Sequence, residues 1–182
     1  MNLVIIGIIV LAIIAFVWFL YNSIIVAKLR ISEALSQIDV QLKRRTDLIP
    51  NLVETVKGYA KHEKELFEKV TEERSKLMSA SSTGEKAKVN NQLSETLKSI
   101  IAVAESYPDL KASQNFSDLQ AEISDTENKI AYARQFYNSV VLDYNTKLKL
   151  FPNVLIAGLL NFKEAEFFAA SEEEKKGVKV SF

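Results

Sequence analysis

An uninterrupted apolar run close to the start of the chain sets the terms for everything after it. Residues 3–20, LVIIGIIVLAIIAFVWFL, carry no charge, and only Gly7 among them is not strongly hydrophobic. At 1.5 Å per residue such a run makes about 27 Å of helix, close to the ~30 Å hydrocarbon core of a bilayer, and the residues just after it can complete a crossing. A cleaved signal peptide would carry basic residues ahead of the apolar core and small residues behind it. Here Met1 and Asn2 precede the run, and it ends in Trp18, Phe19, Leu20 and Tyr21. These bulky aromatics suit an interfacial belt, and the nearby basic residues Lys28, Arg30, Lys43, Arg44 and Arg45 all lie on the C-terminal side, the side that stays in the cytoplasm. Residues 1–27 are therefore expected to be a single-pass anchor in contact with the lipid bilayer, with Leu3, Trp18, Leu20 and Tyr21 as anchor residues, the N-terminus outside and the body cytoplasmic. A buried core helix is a poor alternative, because the amphipathic remainder could not surround so uniformly apolar a rod.

The rest of the composition points to long helices. Five Gly and three Pro in 182 residues fall well below the roughly 12% of an average protein, so the turns of a sheet-rich fold are scarce. The absence of cysteine excludes disulfides, thiolate metal sites and cysteine nucleophiles, and the single His62 leaves no His-rich zinc or di-iron site. A balance of 23 basic against 23 acidic residues argues against nucleic acid as a partner, since a phosphate-backbone binder normally has a basic surplus.

From Lys28 onward, charges alternate with apolar residues at helical spacing. A stripe from Ile31 to Leu77 follows steps of four and three, through Leu35, Ile38, Leu42, Arg45, Ile49, Leu52, Val56, Tyr59, Glu63, Leu66, Val70 and Glu73, which is coiled-coil-like heptad patterning. Ala34, Val53, Ala60 and Phe67 widen it towards a bundle. Pro50 falls inside this stripe, where it removes a backbone hydrogen bond and clashes with the carbonyl of Thr46. Because the phase is the same on both sides, the reading favours one kinked helix reaching residue 79. The alternative is a break, with Asp47 capping a new helix that holds Pro50 in its first turn. A second soluble helix is predicted over 85–106, with Val89, Leu93, Leu97, Ile100 and Val103 or Ala104 inward, stopped by Tyr107-Pro108-Asp109. A third carries Leu119, Ile123, Thr126, Ile130, Ala133, Tyr137, Val140 and Tyr144 and continues to Leu148 and Phe151. Residues 154–168 are predicted to form a last small helix on the bundle end, before a loose tail. The expectation is an all-α fold: an anchor over 1–27, an antiparallel bundle of about four helices over 28–170, and a flexible tail over 171–182.

The search for chemistry returns structural candidates. His62 lacks the Glu three residues before it that a ferritin-like site needs, since position 59 is Tyr, so it reads as a solvated helix residue. Arg45 occupies an inward position, and Glu127 and Arg134 lie seven apart on one face of the third helix. A buried Arg–carboxylate pair could fix helix register, and a paired structural role is favoured for Arg45. Glu63 and Glu73 are expected to snorkel to the bundle edge. Tyr132, Phe136, Tyr137 and Tyr144 have packing rather than base-stacking spacing. No phosphate loop, nucleophile elbow or paired-carboxylate pocket is present, so the expectation is no enzyme and no cofactor; a ligand site between helices around Arg45, Glu127 and Arg134 is the minor alternative. Arg45, Asp47, Pro50, Glu127, Arg134 and Tyr137 are the residues expected to carry structural or interaction roles.

The stretch IDVQLKRRTDLIPNLV over 38–53, continued by VKGYAKHE over 56–63, resembles the signature of the LemA family of bacterial membrane proteins. So do ESYPDLKA over 105–112 and TENKIAYARQFYN over 126–138, and Val180-Ser181-Phe182 is similar to the family's usual ending. The resemblance implies an N-terminal anchor in the cell (inner) membrane and an antiparallel bundle of about four helices, with no established enzymatic activity. It also implies a link, through one relative, to magnetosome membrane formation, and a possible partnership with membrane metalloproteases. The functional expectation is a non-enzymatic, membrane-anchored helical scaffold that forms a homo-oligomer and organises or shapes the membrane. The alternative is an adaptor or partner of a membrane protease or envelope-stress system.

Overall fold

The computed structural model describes residues 2–60 and 62–168. The 171–182 tail and its Val180-Ser181-Phe182 ending lie outside the described residues. Within them, all regular structure is helical: α1 (Asn2–Lys57), α2 (Lys64–Ser79), α3 (Thr83–Glu105), α4 (Pro108–Lys111), α5 (Gln114–Lys149) and α6 (Asn153–Leu159). The all-α expectation holds, with six helices in place of about four because α4 and α6 are short connecting pieces.

Helix α1 passes through Pro50 without a break, and Asp47 stays inside it, paired with Lys43 one turn back at 2.5 Å. The capped-break alternative is therefore overturned. The expected continuation to residue 79 is overturned as well, since α1 ends at Lys57. The amides of Tyr59 and Ala60 both turn back to the carbonyl of Val56, at 3.0 and 2.9 Å, and Gly58, poor in helix interiors, sits at the turn. The stripe read through this point joins two helices that face one core, with its members Tyr59 and Glu63 in the connection. His62 is likewise exposed in that connection and not on a helix.

Local chemistry sets the later ends. Ser82 caps α3, its hydroxyl accepting from the amide of Glu85 at 3.1 Å, while the Glu85 carboxylate accepts from the amide of Ser81; such a reciprocal cap satisfies amides the first turn leaves open. Pro108 opens α4 at a position whose missing N–H costs nothing.

The described residues divide into two compact units, 2–36 with 135–166, and 37–134 with 167 and 168. In the first, Leu20 and Ile24 of α1 pack with Tyr144 and Leu148 of α5 and Ile156 and Ala157 of α6, flanked by Ala27, Ile31, Phe162 and Ala165. Phe151, expected to continue the α5 stripe, is 78% exposed, because α5 ends at Lys149 and the stripe has no helix left to carry it. Residues 161–168 are non-helical, so the small last helix stops at Leu159. In the second unit, α2 runs back along α1 and α3 returns parallel to it, as the pairs Thr46–Arg74 and Asp39–Lys86 require. Its core buries Ile38, Leu42, Ile49, Leu52 and Val56 of α1, Phe67, Val70 and Leu77 of α2, and Leu93, Leu97 and Ile100 of α3.

Candidate functional site

The most concentrated polar chemistry in the chain lies inside the second unit. Arg45, one of the inward positions of the α1 stripe, is 1% exposed. Its Nη1 donates to Asn90 Oδ1 at 2.5 Å and to Ser94 Oγ at 3.1 Å, both on α3. Its Nη2 forms an ion pair with Glu127 Oε2 on α5, so one guanidinium ties three helices together. Arg45 Nε finds no acceptor among the described residues. Burial pulls the guanidinium below its ordinary value; Glu127 opposes that shift and the charge of Arg134 adds to it. The Arg134 guanidinium lies over the Phe168 ring, 5.4 Å from its centre, a cation–π distance. Arg45 and Glu127 are thus brought together, with Arg134 close enough to bear on Arg45 electrostatically.

Asn90 and Ser94 are members that sequence reasoning missed. Asn90 is 1% exposed, and its signal was a polar residue one helical turn before Leu93 and two before Leu97 on the inward side of α3. Glu73 corrects another expectation: it is buried and does not snorkel, and its Oε2 has no hydrogen-bond donor among the described residues. α2 packs that side of its helix, with Val70 and Leu77, into the core. Outside the cluster, Arg44 reaches Glu122 and Asp125 at 3.5 and 3.2 Å. Lys129 bonds Asp125 at 2.8 Å and, with Arg44, holds its carboxyl below the usual range.

Pro50 has its consequence one turn back. Lacking an N–H, it cannot bond the carbonyl of Thr46, and that buried carbonyl accepts instead from Arg74 Nε of α2 at 2.7 Å. The Thr46 hydroxyl donates to the Lys43 carbonyl at 2.8 Å.

In the first unit, α5 holds the extended segment after α6 by its side chains. Asn145 Nδ2 donates to the carbonyl of Ala165 at 3.0 Å and Asn145 Oδ1 accepts from the Ala165 amide at 2.9 Å. Tyr137 donates to the carbonyl of Glu166 and Tyr144 to that of Lys163, at 3.0 and 3.1 Å. Of the anchor residues, Leu3 and Trp18 are exposed at 85% and 68%, Tyr21 lies against Phe162 with ring centres 6.3 Å apart, and Leu20 is buried in the first core.

These arrangements brace helices. The two terminal nitrogens of Arg45 are directed at Asn90, Ser94 and Glu127, and no group of three or more His, Asp or Glu able to hold a metal occurs among the described residues. A shallow groove of about 630 Å³ between α1 and α2 is lined by Val53, Phe67 and Thr71 with Lys57, Lys64, Glu68 and Glu72, a mixed surface with no convergent polar centre.

The family model described as LemA family matches residues 34–182. Protein LemA of Metamycoplasma hominis is 30% identical over 152 residues, covering 83% of this chain and 69% of that protein. Magnetosome protein MamQ 2 of Paramagnetospirillum magneticum is 23% identical over 188 residues, covering 87% of this chain and 69% of its own. Magnetosome protein MamQ of Magnetospirillum gryphiswaldense is 22% identical over the same span and coverage.

Proposed function

This chain belongs to the LemA family, and from that premise we propose that it is a membrane-anchored, non-enzymatic helical scaffold that self-associates and organises or shapes the bacterial cell membrane. The observation that carries the reading is the fate of α1. Its first part is uncharged, apolar and long enough to cross a membrane, and residues 3–19 stay exposed in the fold. The same helix then supplies core residues to both units, so the anchor is built into the body without a linker. Lys28 and Arg30 just beyond the run support a cytoplasmic body, since basic residues flanking a span favour the inner side. The relatives named as magnetosome proteins support the organising half of the proposal. The inward-directed polar atoms around Arg45 support a structural rather than a catalytic use of its charge.

The test is the molar mass of the full chain by light scattering in mild detergent, paired with in-cell crosslinking. A defined oligomer that also crosslinks to itself in cells is the expected result. A strictly monomeric protein that crosslinks in cells to a membrane protease or an envelope-stress component overturns self-association and makes the chain an adaptor.

A further inference from the structure

Beyond the anchor, the longest uncharged stretch of the chain is residues 150–162, LFPNVLIAGLLNF. A helix that merely closes a bundle needs one apolar face, but α6 and its flanks carry apolar residues on their exposed side as well. Ile156 and Ala157 are buried, while Leu150, Phe151, Leu155, Leu159 and Leu160 are exposed at 57%, 78%, 63%, 81% and 50%. Single exposed apolar residues are ordinary; five on one short corner mark a surface that meets another apolar phase.

The contacts within the first unit say where this corner lies. Ile156 and Ala157 share a core with Leu20 and Ile24, and Phe162 packs on Tyr21. Lys147 Nζ donates to the carbonyl and the hydroxyl of Ser23 at 3.3 and 3.0 Å. Arg30 shares a hollow with Val140 and Asp143, so α5 descends as α1 rises. Leu150 and Phe151 follow directly on the last turn of α5, whose Leu148 packs with Leu20 and Ile24, so the corner begins at the height of Leu20 to Ile24. That is the end of the apolar run, the level of Trp18 and Tyr21, where aromatic side chains mark a membrane interface. The nearest charges along the chain on either side of the corner are Lys149 and Lys163, which suit headgroup phosphates.

We infer that the corner formed by the end of α5 and by α6 dips into the bilayer interface beside the anchor, so that the protein holds the membrane by two elements, one spanning and one interfacial. The inference rests on the anchor reading above, and its occupant is lipid because the apolar corner is continuous with the anchor through Leu20 and Ile24.

The chain contains no cysteine, so a single Leu155→Cys substitution on the full-length protein takes one environment-sensitive fluorophore. The labelled protein is reconstituted into vesicles of phosphatidylcholine and phosphatidylglycerol, with and without lipids spin-labelled at a shallow chain position. The exposed Ser139→Cys, eight residues back from Lys147 on α5 and about 12 Å further from the interface, is the comparison site. The expected result is a blue-shifted Leu155→Cys label that loses emission to the spin-labelled lipid, with the Ser139→Cys label unaffected. Trp18, the only tryptophan, reports the anchor separately through quenching by the same lipids. Quenched Trp18 with a water-like label at Leu155→Cys overturns the interfacial corner and leaves the anchor standing. A blue-shifted label that the lipid does not quench overturns it in favour of a second protein chain on this surface. Unquenched Trp18 together with an unquenched label overturns both readings.

Discussion

The Arg45 guanidinium on α1 meets the Glu127 carboxylate on α5 from unequal ground, the arginine side chain 1% exposed and the glutamate 38%. Removing one partner of a buried pair generally costs about 3–5 kcal/mol, because the remaining charge is left uncompensated. Water reaches Glu127, so Glu127→Gln is expected to cost about 2 kcal/mol, between the buried and surface cases. Adding Arg45→Met should then cost less than it does alone, since the charge that needed Glu127 is gone. Urea unfolding of the full chain in detergent checks this. An unchanged midpoint for Glu127→Gln would mean that Asn90 and Ser94 are enough to hold the guanidinium.

Arg74 and Pro50 form a second dependency across helices. The Thr46 carbonyl, buried and denied its local donor by Pro50, relies on Arg74 Nε, and an orphaned buried acceptor costs about 1–3 kcal/mol. Arg74→Met should destabilise the protein by that amount. In a Pro50→Ala background, residue 50 regains an N–H for Thr46, and the same substitution should cost less by about 0.5–1 kcal/mol. A double-mutant cycle showing strict additivity would separate the two residues.

Much of this was legible in the sequence where one helix carries a long unbroken pattern. On α5, Ile123, Thr126, Ile130, Ala133, Tyr137 and Tyr144 are buried as their spacing requires, and on α3 the same is true of Val89, Leu93, Leu97 and Ile100. The end of α1 at Lys57 was not legible, because two helices packed back to back on one core keep the four-and-three rhythm across the turn between them. The inward place of Arg45 could be read from its stripe. Its partners Asn90 and Ser94 depend on which side of α3 turns towards α1, which tertiary packing decides. The extended segment after α6 is held through its backbone by Tyr137, Tyr144 and Asn145, and backbone acceptors leave no signature in residue types.

Tyr144 gives the alkaline side of the stability curve a definite sign. Burial pushes its phenol above the ordinary value of 10. In the unfolded chain the phenol ionises from about pH 10 upward, while the folded chain keeps its proton to a higher pH. The folded state then binds more protons than the unfolded one, so stability is complete below pH 10 and falls as pH rises towards the folded value. Tyr144→Phe should lose about 1 kcal/mol at pH 8, from the hydrogen bond to the Lys163 carbonyl, and should fall less steeply above pH 10 than the natural chain. Parallel curves for the two proteins between pH 9 and 11 would remove Tyr144 as the cause.

Asn145 offers the most local test of how the segment after α6 is held. Its amide makes both a donor and an acceptor bond to the backbone of Ala165, the pairing a neighbouring strand would provide, supplied by one side chain that is 6% exposed. Asn145→Leu fits the site in size but leaves the amide and carbonyl of the half-buried Ala165 without these partners, at about 1–3 kcal/mol. Release of the segment into water restores those bonds more cheaply than global unfolding, so the loss should appear as local opening. Amide hydrogen exchange should accelerate around residues 163–166 by about one to two orders of magnitude, at 1.4 kcal/mol per factor of ten, while α3 amides around Leu93 and Leu97 keep their protection. Tyr137→Phe, which removes the bond to the Glu166 carbonyl, should produce a smaller acceleration in the same place. Uniform acceleration across α3 and α5 in Asn145→Leu would mean instead that the segment opens only when the whole protein does.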